Sequence, residues 1–402
     1  MKFGIVGCGS AGTSITNQLI KNYDVGSFVF IDNNYSRAER LLDIASQRGV
    51  SSKASTTSQN KFSKALCRCD VVINSASPIL NTKLLRFCLS ENSHYIDLAS
   101  DPFKYPESPI GTTLDEQLAF DERFRDHKLT AITNAGYSPG FTDIYVKFVC
   151  EKYGFQKLDS VKIIFGEKID SDLLTISWSP YVLMLETLSP PTVWSGGKIC
   201  EIDENSSKHS YEFPLNFGKI DTYVFSGHPE LRTITQYLGI PVDYLEVRGG
   251  MFLGKHGLSE LICNALRKFT AKKRYLGKKD IFNCLAESFE PSSDFVHNYY
   301  SGKIKSEEFC SVIEMVGDAP KNKKKIKAVT YLSLEHTLKS DPNSSVGAYI
   351  VSFVPSVLAN LLAKSKINQH GILVPAMLKN SSEIVSKCFS MGLPITISEK
   401  NL

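Results

Sequence analysis

Six residues near the N-terminus have the types and spacing that bind a dinucleotide. The segment Gly7-Cys8-Gly9-Ser10-Ala11-Gly12 follows the apolar run Lys2–Val6 and opens a stretch with helical periodicity. Gly7 would make a tight turn, Gly9 would let the backbone approach a pyrophosphate, and Gly12 would let the helix pack on the strand. The N–H groups at the helix start, including those of Ser10 and Ala11, would face the phosphates. A glycine-rich turn without a ligand is the alternative.

An acidic residue twenty positions after Gly12 supports the same interpretation. Asp32 ends the second predicted strand, where a carboxylate can accept hydrogen bonds from the adenosine ribose hydroxyls. Because the negative charge of Asp32 would repel a 2′-phosphate, we predict NAD as the cofactor. We also predict that the neighbouring Asn33 contacts the cofactor. Arg37, five residues further on, could instead bind the phosphate of NADP. A solvated acid that starts a turn with Asn33 is the alternative for Asp32.

Small and polar side chains follow three later predicted strands, at the edge where parallel sheets bind ligands. Ser75, Ala76 and Ser77 follow one strand, and we predict that they leave room for the nicotinamide ribose. Asp97 ends the next strand, and Tyr137 lies just after the one that follows. A structural loop is the alternative for each cluster alone, and their convergence on one edge favours a site.

A parallel sheet must position these residues, and the first 140 residues alternate short apolar runs with helical periods. The predicted strands are Lys2–Val6, Ser27–Ile31, Val71–Ser75, Tyr95–Leu98 and Leu129–Thr133. The predicted helices are Ala11–Asn22, Ser36–Arg48, Asn81–Glu91 and Leu114–His127. The sequence therefore predicts an α/β fold that begins with a doubly wound parallel sheet of the Rossmann type.

The chain changes character after Gly140. Short strand-like runs are predicted at Val161–Phe165, Thr175–Trp178, Thr192–Trp194, Tyr223–Phe225 and Leu245–Val247, which suggests a mixed sheet. A helical segment over about 256–318 follows, then strands at Lys327–Leu334 and Val346–Val354, a helix at Val374–Leu393 and a strand at 394–397. We predict a dinucleotide-binding domain at 1–140, completed by about 374–402, and an α+β domain at 141–373 for substrate binding and dimerisation.

Composition excludes several classes of protein. Hydrophobic residues make up 42% of the chain and charged residues 22%, as in ordinary folded proteins. A net charge of +4 creates no field that would select nucleic acid or a membrane as partner. The 10 cysteines follow no metal or disulfide spacing, so we expect thiols, no metal and a cytoplasmic protein. Residues 346–363 lack charge, but Pro355 and Asn360 favour a buried strand and helix over a membrane span.

The order of motifs along the chain resembles the saccharopine dehydrogenase family. The glycine segment, Asp32 and especially Gly136-Tyr137-Ser138-Pro139-Gly140 resemble that family's dinucleotide domain and the turn that leaves it. Downstream resemblances are Ser177-Trp178-Ser179-Pro180, Trp194-Ser195-Gly196-Gly197-Lys198-Ile199, Leu245-Glu246-Val247-Arg248-Gly249-Gly250 and Gly371-Ile372-Leu373-Val374-Pro375. The resemblance implies an NAD(P)-dependent oxidoreductase that transfers hydride at a carbon–nitrogen bond of an amino-acid or opine-like substrate, working as a homodimer.

Two positions depart from the glutamate-forming saccharopine enzymes. Those enzymes have arginine where this chain has Tyr181, and a second arginine where it has Met251-Phe252. Since arginine forks grip carboxylates, a substrate with several carboxylates is disfavoured, and lysine 6-dehydrogenase and carboxynorspermidine synthase stay open as models. A non-catalytic dinucleotide-binding protein with this fold is the alternative function.

The implied reaction needs a residue that accepts a proton and residues that bind the substrate. The candidate proton acceptors are Asp97, Asp101, Tyr137, His228 and His256. The candidate substrate-binding residues are Ser177, Trp178, Tyr181 and Arg248. Arg248 ends an apolar strand beside Gly249 and could bind a carboxylate, or it could form an ion pair with Glu246.

Overall fold

Two sheets organise the chain in a computed structural model, and the chain divides into two compact units. The structure describes residues 1–56, 65–66, 68–100, 113–180, 182–183, 186, 190–252 and 286–402. The first unit comprises Met1–Gly154, Arg232–Gly239 and Tyr349–Leu393. The second comprises Phe155–Leu231, Ile240–Ala348 and Pro394–Leu402. The predicted combination of a Rossmann-type sheet with a second, mixed-sheet domain is confirmed.

The first unit contains a seven-stranded, all-parallel sheet. In chain order its strands are β1 Lys2–Val6, β2 Ser27–Asp32, β3 Ser51–Thr56, β4 Val71–Asn74, β5 His94–Asp97, β6 Thr130–Ile132 and β15 Gly371–Leu373. Their spatial order is β15-β6-β5-β4-β1-β2-β3. Sequence analysis missed β3, whose residues are largely half-exposed and form no apolar run, and β15, which has three residues.

Helices pack on this sheet. They are α1 Ser10–Asn22, α2 Tyr35–Gln47, α3 Asn81–Glu91, α4 Thr113–Leu118, α5 Asp121–Asp126 and α6 Phe141–Tyr153. The predicted helix Leu114–His127 is therefore two short helices. Asn34 begins α2, because its side chain accepts the Ser36 N–H at 3.1 Å.

The second unit is built on a nine-stranded mixed sheet. Its strands are β7 Lys157–Ser171, β8 Thr192–Ser195, β9 Lys198–Glu201, β10 His209–Phe213, β11 Gly218–Val224, β12 Tyr244–Phe252, β13 Ile304–Asp318, β14 Lys323–Ser333 and β16 Thr396–Asn401. The main path runs β10-β11-β12-β7-β13-β14-β16, with β8 beside β12. Short helices lie between the strands along the chain: α7 Glu204–Ser207, α8 Glu230–Tyr237, α9 Phe295–Tyr300 and α10 Leu334–Ser340. α8 begins in this unit and continues into the first.

Two predictions for the chain after Gly140 were wrong. Thr175–Trp178 forms no strand. In the predicted helical segment 256–318, residues 256–285 lie outside the described part, and 304–318 form β13. β13 pairs with β7 and β14 along nearly all of its length, so its main-chain hydrogen bonds go to neighbouring strands.

The chain after residue 345 also differs from the prediction. Val346–Val354 is the start of a single helix, α11 Val346–Ala363, with Pro355 inside it. A helix that is apolar on all sides is stable when it is buried, and burial overrides the β-branched composition. α11 is apolar enough to cross a membrane, but 83% of it is buried inside the protein. Helix α12 Ser381–Ser390 follows, and β16 pairs with β14, so residues 394–402 join the second sheet and do not complete the first unit.

The described cysteines are all free thiols. Six are buried and Cys200 is half-buried. Cys67, Cys263 and Cys284 lie outside the described residues. Within the described ranges no group of three or more histidine, cysteine, aspartate or glutamate residues could hold a metal ion.

Candidate functional site

The glycine segment forms a tight loop with space on one side only. Gly7 has φ +93°, and a Cβ there would lie 2.5 Å from the backbone nitrogen of Ala76. A Cβ on Gly12 would lie 2.0 Å from the Gly7 carbonyl oxygen, so the helix start packs directly on the loop. A Cβ on Gly9 would meet no atom within 4 Å. The open side of the loop is therefore at Gly9, where a pyrophosphate needs close backbone approach.

Helix α1 presents its N-terminus at this open side. Gly9 occupies the N-cap position and has no side chain to bond the N–H groups of the first turn. Ser10 and Ala11 lie in that turn, and the helix continues for 13 residues, long enough to carry a dipole. Together these features fit a bound diphosphate.

The Asp32 side chain is hydrogen-bonded to the backbone of the glycine loop. It is 5% exposed, and its Oδ2 accepts the Cys8 N–H at 2.7 Å. Its Oδ1 accepts the Asn34 N–H at 2.8 Å, while Asn33 between them is exposed. A carboxylate has about four acceptor positions, so two stay available for ribose hydroxyls.

Two arginines lie near the same loop. Arg37 is half-buried on α2, and Arg40 Nη2 lies 3.3 Å from the Thr13 hydroxyl. Burial raises the pKa of the Cys8 thiol, the Asp32 charge raises it further, and both arginines lower it. Their charges therefore reach the loop, and the predicted preference for NAD over NADP stays a prediction.

The segment after β4 also contacts the glycine loop. Ser75 Oγ donates to the Gly7 carbonyl at 2.7 Å. The Ala76 N–H donates to Asn74 Oδ1 at 3.1 Å, and Ala76 is exposed. Ser77 is exposed as well, and its hydroxyl accepts the Ile79 N–H at the start of a short 3-10 turn. These small residues line the carboxyl edge, where the sequence predicts the nicotinamide ribose.

Asp97 is held inside the protein. Its side chain is buried, its Oδ1 accepts the Asn134 N–H at 2.8 Å, and its Oδ2 accepts Gln117 Nε2 at 2.5 Å. Burial raises its pKa to about 7, and the hydrogen bonds oppose that rise. Both carboxylate oxygens therefore have internal partners, which favours a structural role over proton transfer. Asp101 lies outside the described residues.

Tyr137 lies in the turn that leaves the parallel sheet. Gly140 has φ +129°, and a Cβ there would lie 2.3 Å from the Gly136 carbonyl oxygen, so this position requires glycine. The Tyr137 ring is buried and stacks on Phe141, with ring centroids 5.5 Å apart. The turn is closed by Asp143, whose Oδ2 accepts the Gly140 N–H at 3.0 Å.

In the second unit, His228 is held between two carboxylates. Its Nδ1 is hydrogen-bonded to Glu230 Oε2, and its Nε2 lies 3.6 Å from Glu186 Oε1. The His228 ring is 4% exposed and stacks on Phe225 at 5.9 Å. Burial raises the pKa of Glu186 to about 7, His228 lowers it and Glu230 raises it. Sequence analysis selected His228 and missed both glutamates. Glu230 is visible two residues away, but no local pattern marks Glu186.

A second buried acidic group lies on β7 and β13. Glu167 Oε1 accepts the Ser177 hydroxyl at 3.3 Å, and Oε2 accepts Trp178 Nε1 at 3.0 Å. Glu307 accepts the Val346 N–H at 2.9 Å. Burial raises the pKa of Glu167 to about 7 and that of Glu307 to about 8, where the charge of Glu167 adds to the effect. Ser177 and Trp178 were predicted to bind substrate, and the structure places both against Glu167.

Arg248 faces away from His228. A Cβ on Gly249 would lie 2.4 Å from the Phe225 ring, and because side chains alternate along a strand, Arg248 projects from the opposite face. The guanidinium is 8% exposed, donates to the Ser207 carbonyl at 2.8 Å and lies 3.7 Å from Glu246. These are the contacts of an internal ion pair, so the geometry does not support the predicted grip on a substrate carboxylate. Tyr181 and His256 lie outside the described residues.

The sequence matches two family models that together span most of the chain. Residues 3–132 match the saccharopine dehydrogenase NADP binding domain. Residues 136–390 match the saccharopine dehydrogenase C-terminal domain. The boundary between them falls just before the Gly136–Gly140 turn.

Similar proteins are named for work on amines. The chain is 22% identical over 260 residues to carboxynorspermidine synthase of Vibrio cholerae, a match that spans 60% of each protein. It is 21% identical over 408 residues to carboxyaminopropylagmatine dehydrogenase of Synechocystis, covering 98% of this chain and 96% of that protein.

Two solved structures share the fold across the chain. Saccharopine dehydrogenase (L-Glu forming) of Saccharomyces cerevisiae has a TM-score of 0.71 at 13% identity and covers 100% of this chain and 99% of its own. Homospermidine synthase of Legionella pneumophila, solved with NAD, has a TM-score of 0.66 at 14% identity, with 100% and 91% covered.

Proposed function

Because the chain belongs to the saccharopine dehydrogenase family, we propose that it is an NAD(P)-dependent oxidoreductase acting on a carbon–nitrogen bond of an amine substrate. The glycine loop fits the cofactor, since the space beside Gly9 is open and the N-terminus of α1 faces it. The bound nicotinamide would supply or accept hydride at the carbon of that bond.

The buried Glu186–His228–Glu230 cluster carries the proposal of an amine substrate. Burying a carboxylate is costly unless a cation or hydrogen-bond donors compensate its charge. Amines are cations near neutral pH, so an ammonium group beside Glu186 would compensate the charge of that carboxylate. The aromatic face of Phe225 beside the cluster would pack on the methylene groups of such a substrate.

Glu167 and Glu307 add a second acidic group to the same unit. Within the described ranges, no lysine or arginine forms an ion pair with either of them. Among the described residues of this unit, buried carboxylates outnumber arginines that could bind a substrate carboxylate, which suits a substrate richer in amines than saccharopine. The names of the similar Vibrio and Synechocystis proteins support this choice.

The histidine has a defined task in this reaction. Reduction of an imine delivers hydride to carbon and a proton to nitrogen, and oxidation of the amine removes both. His228, oriented at Nδ1 by Glu230, can take up or release that proton at Nε2, with Glu186 stabilising the charged ring.

A substrate screen with two variants tests the proposal. The purified protein is assayed by nicotinamide absorbance with lysine, saccharopine, other opines and carboxylated polyamines. On the best substrate, His228→Gln should lower kcat by about 100-fold or more, a typical loss for a general acid–base residue. Affinity for NADH should stay within about twofold, since the residue lies outside the glycine loop.

The exposed His336 on α10 provides a matched control. His336→Gln should keep full activity, which excludes a general effect of losing a histidine. Binding of NAD(P)H without turnover of any amine would contradict the proposal and favour the alternative, a non-catalytic dinucleotide-binding protein. Equal kcat for wild type and His228→Gln would remove the histidine from the reaction.

A further inference from the structure

We propose that Asp97 is a positioning residue whose negative charge fixes the direction of a buried series of hydrogen bonds and so holds in place residues 98–100 of the loop after β5 and residues 133–135 of the loop after β6. Both loops lie at the carboxyl edge of the parallel sheet, where folds of this type bind ligands. The inference rests on the proposed function for its kinetic test, and a second test is independent of turnover.

The two loops are joined by side chains at several points. Asp97 accepts the Asn134 N–H through Oδ1, and its own carbonyl accepts the Ala135 N–H at 2.8 Å. In the other direction, the Ser100 N–H donates to Asn134 Oδ1 at 2.7 Å. Asn134 has φ +58°, a left-handed conformation that asparagine tolerates, and it leads directly into the Gly136–Gly140 turn. This turn therefore depends on the contacts of Asp97 and Asn134.

Only one direction of donation gives every donor in this series of hydrogen bonds an acceptor. Because the Ser100 N–H must donate to Asn134 Oδ1, Asn134 Nδ2 donates to Ser100 Oγ at 2.9 Å. The Ser100 hydroxyl then donates to Gln117 Oε1 at 2.7 Å, and Gln117 Nε2 donates to Asp97 Oδ2. Asp97 thus receives two N–H donors, an arrangement that favours the ionised carboxylate, because an ionised carboxylate only accepts hydrogen bonds.

The surroundings of Asp97 leave this charge without a counter-charge among the described residues. Tyr95 on β5 is the titratable group that faces it. β4 and α3 contribute the neutral Asn74 and Asn81, α4 contributes Gln117, and the loop after β6 contributes Asn134. Burial of Asp97 favours the neutral acid, whereas its hydrogen-bond donors favour the anion. The charge of Asp97 therefore depends on these hydrogen bonds staying in place.

The proposal is tested by moving the negative charge from position 97 to its hydrogen-bond partner at position 117. In Asp97→Asn, the new amide places an NH₂ against Asn134 N–H or Gln117 Nε2, so one hydrogen bond is lost. In the double variant Asp97→Asn/Gln117→Glu, the carboxylate introduced at position 117 accepts both the amide introduced at position 97 and the Ser100 hydroxyl, and every donor again has an acceptor. We expect kcat to fall at least tenfold in the single variant and to recover to within about threefold of wild type in the double variant.

Hydrogen exchange at backbone amides gives the independent readout. Exchange of the Asn134 and Ser100 N–H groups should be at least tenfold faster in Asp97→Asn and return towards the wild-type rate in the double variant. Asp126→Asn, an exposed aspartate in the same unit, is the control and should change neither measurement. If no substrate is ever found, the exchange test still decides the network, so its failure and that of the proposed function are distinguishable.

Two results would overturn the inference. One is a double variant as impaired as, or worse than, Asp97→Asn, because that shows independent losses without a shared charge. The other is unchanged exchange in Asp97→Asn. If the single variant does not fold, Ser100→Ala breaks the same chain in its middle, and its Asn134 N–H should exchange at least threefold faster. An unchanged rate there would also refute the network.

Discussion

Replacing Gly12 with alanine should lower the thermal midpoint of the protein, because the new methyl group has no space. A Cβ at this position would lie 2.0 Å from the Gly7 carbonyl oxygen and 2.9 Å from Ser75 Oγ, whereas ordinary contacts of a Cβ are 3.4–4 Å. The glycine loop must move outward by more than an ångström to admit it.

The expected size follows from two opposing contributions. Overpacking of this kind costs about 3 kcal/mol at the upper end of its usual range. Alanine in a helix returns about 1 kcal/mol relative to glycine, which leaves a net loss of about 2 kcal/mol. For a unit of about 200 residues, that loss corresponds to a fall in midpoint of about 4–8 °C.

Gly9→Ala is the matched variant with the opposite behaviour. A Cβ there meets no protein atom within 4 Å, and φ is −77°, which alanine adopts freely. The thermal midpoint should fall by less than about 3 °C, because the methyl group causes no clash and the remaining cost is that alanine is a weaker N-cap residue than glycine. Affinity for NADH should fall at least about tenfold, because the methyl group fills the space that the pyrophosphate needs.

The assays are thermal unfolding and titration with NADH followed by fluorescence. Wild-type affinity in Gly9→Ala would show that the pyrophosphate does not lie beside this residue. An unchanged midpoint in Gly12→Ala would show that the loop is looser than its geometry indicates. The first result would refute the assignment of the cofactor loop, and the second would refute its close packing on helix α1.

Three further predictions concern the cofactor, the proton and the pH. Because the Asp32 charge opposes a 2′-phosphate, titration should show tighter binding of NADH than of NADPH, and equal or tighter NADPH binding would remove Asp32 from that role. Glu186→Gln should lower kcat about tenfold or more with little change in NADH affinity, and an unchanged kcat would separate Glu186 from the proton transfer. Burial raises the pKa of Glu167 and Glu186 to about 7, so the folded state binds more protons than the unfolded state between about pH 4 and 7. Stability should therefore fall as pH rises, by about 1.4 kcal/mol per group between pH 6 and 8, and a higher thermal midpoint at pH 8 would contradict these assignments.

The cofactor loop could be predicted because its residues are contiguous. Gly7, Gly9 and Gly12 fall within one turn, and Asp32 lies at a spacing set by one helix and one strand. By contrast, α11 has the β-branched composition of a strand, and only its burial on all sides explains why it is a helix. Local preference and tertiary packing disagree there, and packing decides.

The acidic groups of the second unit could not be predicted in this way. Glu186 lies 42 residues before His228, and Glu167 and Glu307 meet through the pairing of β7 with β13. No local spacing brings such residues together. Arg248 shows a related problem, since its sequence neighbours allowed either a carboxylate site or an ion pair with Glu246, and only the folded structure places the guanidinium against Ser207 and Glu246.

The fate of the hydride tests the central claim most directly. NADH or NADPH carrying deuterium at the transferable nicotinamide position is incubated with the protein, an amine and a carbonyl compound, and the product is analysed by mass spectrometry. We expect one deuterium on the carbon bonded to nitrogen in a newly formed secondary amine with wild-type protein, and labelling about 100-fold slower or more with His228→Gln. A product without deuterium at that carbon, or cofactor bound and never oxidised across the amine screen, would contradict it.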